Sequence, residues 1–192
     1  MLDVRDHRFG SGRPYTVGVE EEYMLLDPAS LDLVPRVERI LAAERHGDFA
    51  ELVSAELFES LVEFHTPVCS TIADVAAALR RLRAHAVEVA GREALLIGSA
   101  GTHPFSLFEA QSVTERDRYR ALMDVLQYPA RRELIFGLHV HVAVPDPDAA
   151  VRVMDGLRSH LCELVALSAN SPLWRGRLSR CCQRARATLA TV

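Results

Sequence analysis

The chain has 192 residues, of which 49% are hydrophobic and 25% charged, with a formal net charge of −4. That mixture excludes disordered and fibrous classes and suits one well-packed domain, or one large half of a bigger one. The acidic balance argues against a nucleic-acid partner or an anionic membrane surface. No window approaches the roughly 18 uninterrupted apolar residues of a spanning helix. The opening stretch MLDVRDHRFGSGRPYT is mixed in charge and lacks an apolar segment, so neither a signal peptide nor an anchor is expected. Cys69, Cys162, Cys181 and Cys182 form no CxxC pair and no disulfide-like framework, which points to a reducing, cytoplasmic setting.

In chain order, residues 16–26 (TVGVEEEYMLL) predict a strand. Val17, Val19, Tyr23 and Leu25 share one face, interrupted only by Glu21, and Gly18, Glu20, Glu22 and Met24 share the other. The following DPASLDLVP carries turn signals and room for a short return strand. Residues 36–53 read as short helices, and 54–66 as a second, kinked strand ended by Pro67. From residue 71 to 89 an amphipathic helix is expected, with Ile72, Val75, Ala76, Leu79, Leu82 and Ala86 on its apolar face and Ser70 or Thr71 as cap. Residues 93–100 predict a buried strand, and about 115–126 a helix. IFGLHVHVAVPD then alternates, with Phe136, Leu138, Val140, Val142 and Val144 opposite Gly137, His139, His141 and Ala143. Residues 147–168 read as a long helix with proline in its first turn. The pattern predicts a single α+β unit: an antiparallel sheet with helices packed on one face and an open, functional face. The arginine-rich LSRCCQRARATLATV at the end loses apolar periodicity and is read as a solvated tail or an out-of-frame product.

Three polar clusters fall on predicted strands. Alternation points Glu20 and Glu22 to the same side, about 7 Å apart, where they could bind neighbouring divalent ions; a solvated edge is the bland alternative. Glu59 and Glu63 share parity, whereas Glu56 joins them only if the chain bends; Glu63, between Val62 and Phe64, is the member expected to reach a functional face. His139 and His141 point the same way, a geometry suited to Zn²⁺ or a harder ion, or to hydrogen-bonded core histidines. Carboxylates with one or two histidines favour Mg²⁺ or Mn²⁺, ions that neutralise nucleotide phosphates in phosphoryl transfer. Neither GxxxxGK[ST] nor GxGxxG is present, so another device would have to hold a nucleotide.

Taken together, GVEEEYMLLDP, ELFESLVEFHTPV, GSAGTHPF, RRELIFGLHVHVAVPD and LSANSPLWRGR resemble successive signatures of the type 2 glutamate–cysteine ligase, or carboxylate–amine ligase, family. The resemblance spans residues 16–177 and implies a glutamine-synthetase-like catalytic fold, an antiparallel sheet whose open face binds ATP, metal and glutamate. It also implies the reaction. The ATP γ-phosphoryl group passes to the glutamate side-chain carboxylate, and an amine such as that of cysteine then attacks the acyl phosphate. Carried over by position, it makes Glu20, Glu22, Glu63, Glu56 and His139 ligands of Mg²⁺ or Mn²⁺. His141, Thr102, His103, Asn170, Ser171 and Trp174 are expected near substrate or nucleotide.

The resemblance is incomplete. Family chains run to roughly twice this length, with a DTG-type segment after WxGR, and Glu133 stands where a neutral Gln is expected. The division expected is therefore residues 1–15 as an extension, 16–177 as the N-terminal half of a catalytic domain, and 178–192 as an atypical tail. Half a sheet would leave an unpaired edge and an uncovered apolar surface, and a homodimer covering that edge is one expectation. Two other readings stand beside the ligase: a non-catalytic remnant or interaction module keeping the fold, and a zinc enzyme using His139 and His141.

Overall fold

A computed structural model describes Gly10 and residues 12–178. The reading of the tail as a frameshift product, and most of the N-terminal extension, lie outside those residues. The longest strand, β1 (Val17–Leu26), is the axis of a five-stranded antiparallel sheet. One side of β1 pairs with β3 (Leu61–His65), which in turn pairs with β2 (Val53–Ala55). The other side is shared. The C-terminal half of β1 pairs with β4 (Leu96–Gly98), and its N-terminal half with β5 (Leu138–Val142).

The region expected to be one kinked strand over 54–66 is a hairpin, β2 turning back onto β3. Its reversal explains why a single parity could not place both Glu56 and Glu63: Glu56 lies in the connection between the two strands. Nor is residues 93–100 a buried strand. β4 is three residues long, and Leu96 is exposed because β4 pairs on one side only, leaving Leu95 just before it as the buried residue.

Register dictates the two faces. Glu21 opposes Phe64 and Tyr23 opposes Val62, so Val19, Glu21, Tyr23 and Leu25 of β1 share a face with Val62 and Phe64. Helices α1 (Val37–Glu44) and α2 (Ile72–Arg92) cover that face, and Leu25, Val37, Ile40, Val62, Ala86 and Val89 are almost completely buried. Each large aliphatic side chain removed from water there contributes about 1.5–3 kcal/mol. Glu21, the residue that interrupted the apolar face, is paired where it stands. Arg83 of α2 donates Nε–H to its Oε2 at 2.9 Å, and the Tyr23 hydroxyl donates to the same carboxylate.

Helix α2 begins with a capping box. Thr71 Oγ1 accepts from the Asp74 amide at 3.1 Å, and Asp74 Oδ2 accepts from the Thr71 amide at 3.0 Å. Ile72, expected on the apolar face, is exposed; as the first helical residue it precedes the stretch from Val75 onward that packs on the sheet. Glu44 is buried between α1 and α2, 2.9 Å from His85 Nε2 and 3.5 Å from Arg92.

The opposite face is open only in part. Met24 and Leu61 on that face are covered by Leu33, Leu57, Phe58, Phe108, Tyr119, Leu134 and Phe136. Leu33 follows β1, Leu57 and Phe58 come from the β2–β3 connection, and the others come from α3 (Asp117–Leu126) and the segments flanking it and α4 (Tyr128–Arg131). This second core closes one half of the face and leaves the Glu20 end open. The chain then runs through α5 (Pro147–Leu157), a 3₁₀ turn at Arg158–His160 and α6 (Leu161–Leu167), so the expected long helix is interrupted. A two-residue turn at Arg175 and Gly176, both with positive φ, joins β6 (Leu173–Trp174) to β7 (Arg177–Leu178).

Candidate functional site

On the open half-face the pairing brings together residues more than a hundred positions apart. Glu22 opposes Glu63 across β1–β3, and Glu20 opposes His139 while Gly18 opposes His141 across β1–β5. Because cross-strand partners share a face, Glu20, Glu22, Glu63, His139 and His141 converge without any loop having to place them. Two groups each bring one donor atom per residue within 4.8 Å of the others: Glu20 with His139 and His141, and Glu22 with Glu63 and His139. His139 belongs to both.

Glu20 Oε2 lies 3.0 Å from His139 Nδ1 and 3.1 Å from His141 Nε2. Burial works against its charge, but the hydrogen bonds and charge of His141 and His139 outweigh it and hold the carboxyl below the usual carboxylate range. Glu22 is more deeply set. Burial pushes its carboxyl up to about 7, with the charges of Glu56 and Glu63 pushing the same way, while the Gly137 amide and His139 pull against them. The Gly137 amide donates to Glu22 Oε2 at 2.7 Å, and the Glu22 amide donates back to the Gly137 carbonyl at 3.0 Å. Glu63 is raised too, by burial first and then by Glu20 and Glu56, although Ser54 donates to its Oε1 at 3.0 Å.

Carboxylates crowded into half-buried positions resist full ionisation unless a cation accompanies them. The donor set therefore fits a divalent ion. Glu22 and Glu63 supply hard oxygens, and His139 supplies nitrogen toward either group.

Glu56 falls in neither compact group. Its Oε2 accepts from the Leu57 amide at 2.8 Å and its Oε1 lies 3.9 Å from Arg118, yet it is near enough to perturb Glu22 and Glu63. Glu59, which shares parity with Glu63 in the sequence, belongs to neither group and borders a recess formed with Pro35–Arg39. Thr102 and His103 are buried and bonded within the protein. The Thr102 hydroxyl donates to the Leu173 carbonyl at 3.1 Å. His103 Nδ1 accepts from the Ser106 amide at 2.9 Å, which leaves Nε2–H to donate to the Leu31 carbonyl at 3.0 Å. Burial lowers the basicity of that imidazole.

The Asn170 carbonyl accepts from the Gly101 amide at 2.9 Å, the Gly101 carbonyl accepts from Phe136 at 3.2 Å, and Phe136 adjoins the Gly137 clamp on Glu22. Ser171 is buried against Gly101, and Trp174 stacks on Phe108 at 6.4 Å between ring centroids. Only the Asn170–Gly101–Phe136 chain of backbone bonds links these residues to the carboxylates, through Gly137. Sequence reasoning missed Gly137, Ser54 and Arg118. The first two sit opposite acidic residues in the strand register, a signal that recognising the β2–β3 hairpin would have exposed for Ser54.

The fold and this face define an α+β protein that presents a carboxylate–imidazole surface suited to divalent cations. The family model for glutamate-cysteine ligase family 2 matches residues 16–184. The chain belongs to that family. A Rubrobacter xylanophilus protein provisionally named glutamate–cysteine ligase 2-3 is 45% identical over 174 residues, covering 90% of this chain and 48% of that one. The glutamate–cysteine ligase of Halobacterium salinarum is 40% identical over 161 residues, covering 84% of this chain and 45% of that one. The chain thus spans about half the length of the curated relatives it matches. A bifunctional glutathione synthetase from Pasteurella multocida overlays with a TM-score of 0.49 at 18% identity, over 74% of this chain and 18% of that structure. That likeness is too distant to inform function. Among the described residues no helix is long and apolar enough to cross a membrane.

Proposed function

We propose that this chain supplies the metal- and phosphate-facing half of an ATP-dependent carboxylate–amine ligase that forms a γ-glutamyl amide bond. The observation that carries the reading is the convergence of Glu20, Glu22, Glu63, His139 and His141 on one open half-face. Mg²⁺ or Mn²⁺ bound there would neutralise the phosphates of ATP during transfer of the γ-phosphoryl group. Glu22 and Glu63 are the principal oxygen donors, with Glu20 and His139 beside them and Glu56 tuning their charge. The Gly137 amide fixes one oxygen of Glu22 and leaves the other to bind.

The chemistry needs such a face because a carboxylate is a poor electrophile until one oxygen becomes a leaving group. Phosphorylation of the glutamate side chain makes that oxygen phosphate, and attack by the amine nitrogen then expels it. Cysteine is the amine that the names of the relatives suggest, and the site described here carries no feature that selects it. Family membership supports a biosynthetic enzyme, and the cytoplasm is the proposed setting.

The test is ADP release with Mg²⁺, ATP, L-glutamate and L-cysteine, omitting each in turn. Release that requires both amino acids and is lost in Glu22→Gln supports a ligase. ATP turnover indifferent to glutamate and to Glu22 contradicts it. A second reading has a specific observation behind it: Glu20, His139 and His141 form a two-imidazole, one-carboxylate set that also suits zinc. Stoichiometric zinc in the purified chain, with chelation-sensitive activity that needs no ATP, would favour that reading.

A further inference from the structure

The open half-face is laid out as a grid. β3, β1 and β5 cross it side by side, about 4.8 Å apart, and alternate residues along each strand are about 7 Å apart. At one level Glu63, Glu22 and Gly137 stand abreast. At the next level His65, Glu20 and His139 do so, and Gly18 and His141 follow. Glu20 is thus flanked by an imidazole on each side, one from β3 and one from β5.

The other polar side chains of the grid are engaged. Glu20 meets His139 and His141, Glu22 holds the Gly137 amide, and Glu63 accepts from Ser54. The half-buried His65 ring has no hydrogen-bond or ion-pair partner among the described residues. It belongs to neither donor group, although it lies near enough to Glu63 to favour that carboxylate's charge. The β2 ladder ends where Val53 pairs with Phe64, one residue short of His65. Past Glu20 on β1, Gly18 presents no side chain; the nearest atom to a Cβ built there would be His141 Cβ, at 4.0 Å.

A phosphate brought to this face on a cation enters a ring of carboxylates, and its own oxygens need donors there. The chain contains no lysine. None of the grid positions is an arginine. Arg118, at the margin, is turned toward the Ala55 carbonyl and the Tyr119 hydroxyl and lies 3.9 Å from Glu56. His65 is therefore the free side-chain donor of the grid. A neutral imidazole carries one N–H, so the bond requires no change of charge.

We propose that His65 is a phosphate-positioning residue: its ring N–H donates to a phosphate oxygen of a nucleotide di- or triphosphate whose other oxygens bind the cation at Glu22 and Glu63. This deepens the ligase reading and rests on it. Glu63 and His65 are successive residues on the open face of β3, so the polyphosphate lies along β3, with the Glu20 and histidine group on its far side.

The test sets two titrations of the full 192-residue chain side by side: the preformed Mg²⁺–ADP complex by calorimetry, and Mn²⁺ alone by electron paramagnetic resonance. His65→Leu should weaken Mg²⁺–ADP binding about tenfold or more while changing Mn²⁺ affinity less than about twofold. His65→Gln, which keeps an N–H donor, should recover most of the loss. Unchanged Mg²⁺–ADP binding in His65→Leu overturns the proposal. So does an equal loss of Mn²⁺ binding, because His65 then acts as a metal ligand or a structural prop. A parent chain that binds Mn²⁺ but not Mg²⁺–ADP overturns it as well. A parent chain that binds no Mn²⁺ refutes the ligase reading itself and this proposal with it, so the two failures are told apart by the Mn²⁺ titration.

Discussion

Glu22 is held between two opposing demands, one from burial and one from the Gly137 amide, and burial wins. Its folded-state value of about 7 lies above its ordinary 4.5, so the folded chain holds a proton there that the unfolded chain has released. Stability from this group is therefore full below about 4.5 and is lost as pH rises through 7, by up to about 3 kcal/mol. Without divalent ions, the melting temperature should fall between pH 5 and pH 8. Adding Mg²⁺ should restore more of it at pH 8 than at pH 6, because the ion requires the ionised carboxylate. Glu22→Gln should flatten that pH dependence; a profile as steep as the parent's would remove Glu22 from the account. Gly137 gives a second check. A methyl group there would meet His139 Nε2 at 3.0 Å and the Glu22 carboxylate at 3.3 Å. Gly137→Ala should weaken cation binding while shifting the melting temperature little.

The same residue scale shows what strand parity could and could not reveal. Alternation alone put Glu20 and Glu22 on one face and both histidines on another, and the register then made those two faces one. Glu56 was undecidable because it sits in a hairpin connection, where parity has no meaning. Gly137 was invisible because its contribution is a backbone amide, which no residue type announces.

Among the elements, α2 carries the clearest energetic signature. Thr71→Ala removes the Oγ1 acceptor of the capping box and should cost about 1 kcal/mol, measured by urea denaturation. Arg83→Ala leaves the buried Glu21 with only Tyr23 as a side-chain partner. The expected loss is about 1–2 kcal/mol, kept small because the Arg83 side chain is itself well exposed. The apolar face of α2 was legible from its period, apart from Ile72 at the first turn. The β2–β3 hairpin was not legible, because its connection EL-FES contains no glycine, proline or asparagine to mark a reversal. Glu21 looked like an error in an apolar row until the helix above it was found to supply Arg83, a partner 62 positions away.

At the scale of the molecule, antiparallel strands with helices on one face followed from the alternating and helical periods together. The second core did not, since it gathers single residues such as Leu33, Phe108 and Leu134 from segments without a period. It halves the face expected to be open and so confines the site to the Glu20 end of β1. Everything proposed for ATP and for the amine rests first on whether this face holds a divalent ion. Mn²⁺ titration of the full chain at pH 8, followed by electron paramagnetic resonance, measures that directly. Saturable binding is expected, weakened about tenfold or more by Glu22→Gln and by His139→Ala and unchanged by Glu59→Gln. Binding that fails to saturate, or that ignores the first two substitutions, would contradict it.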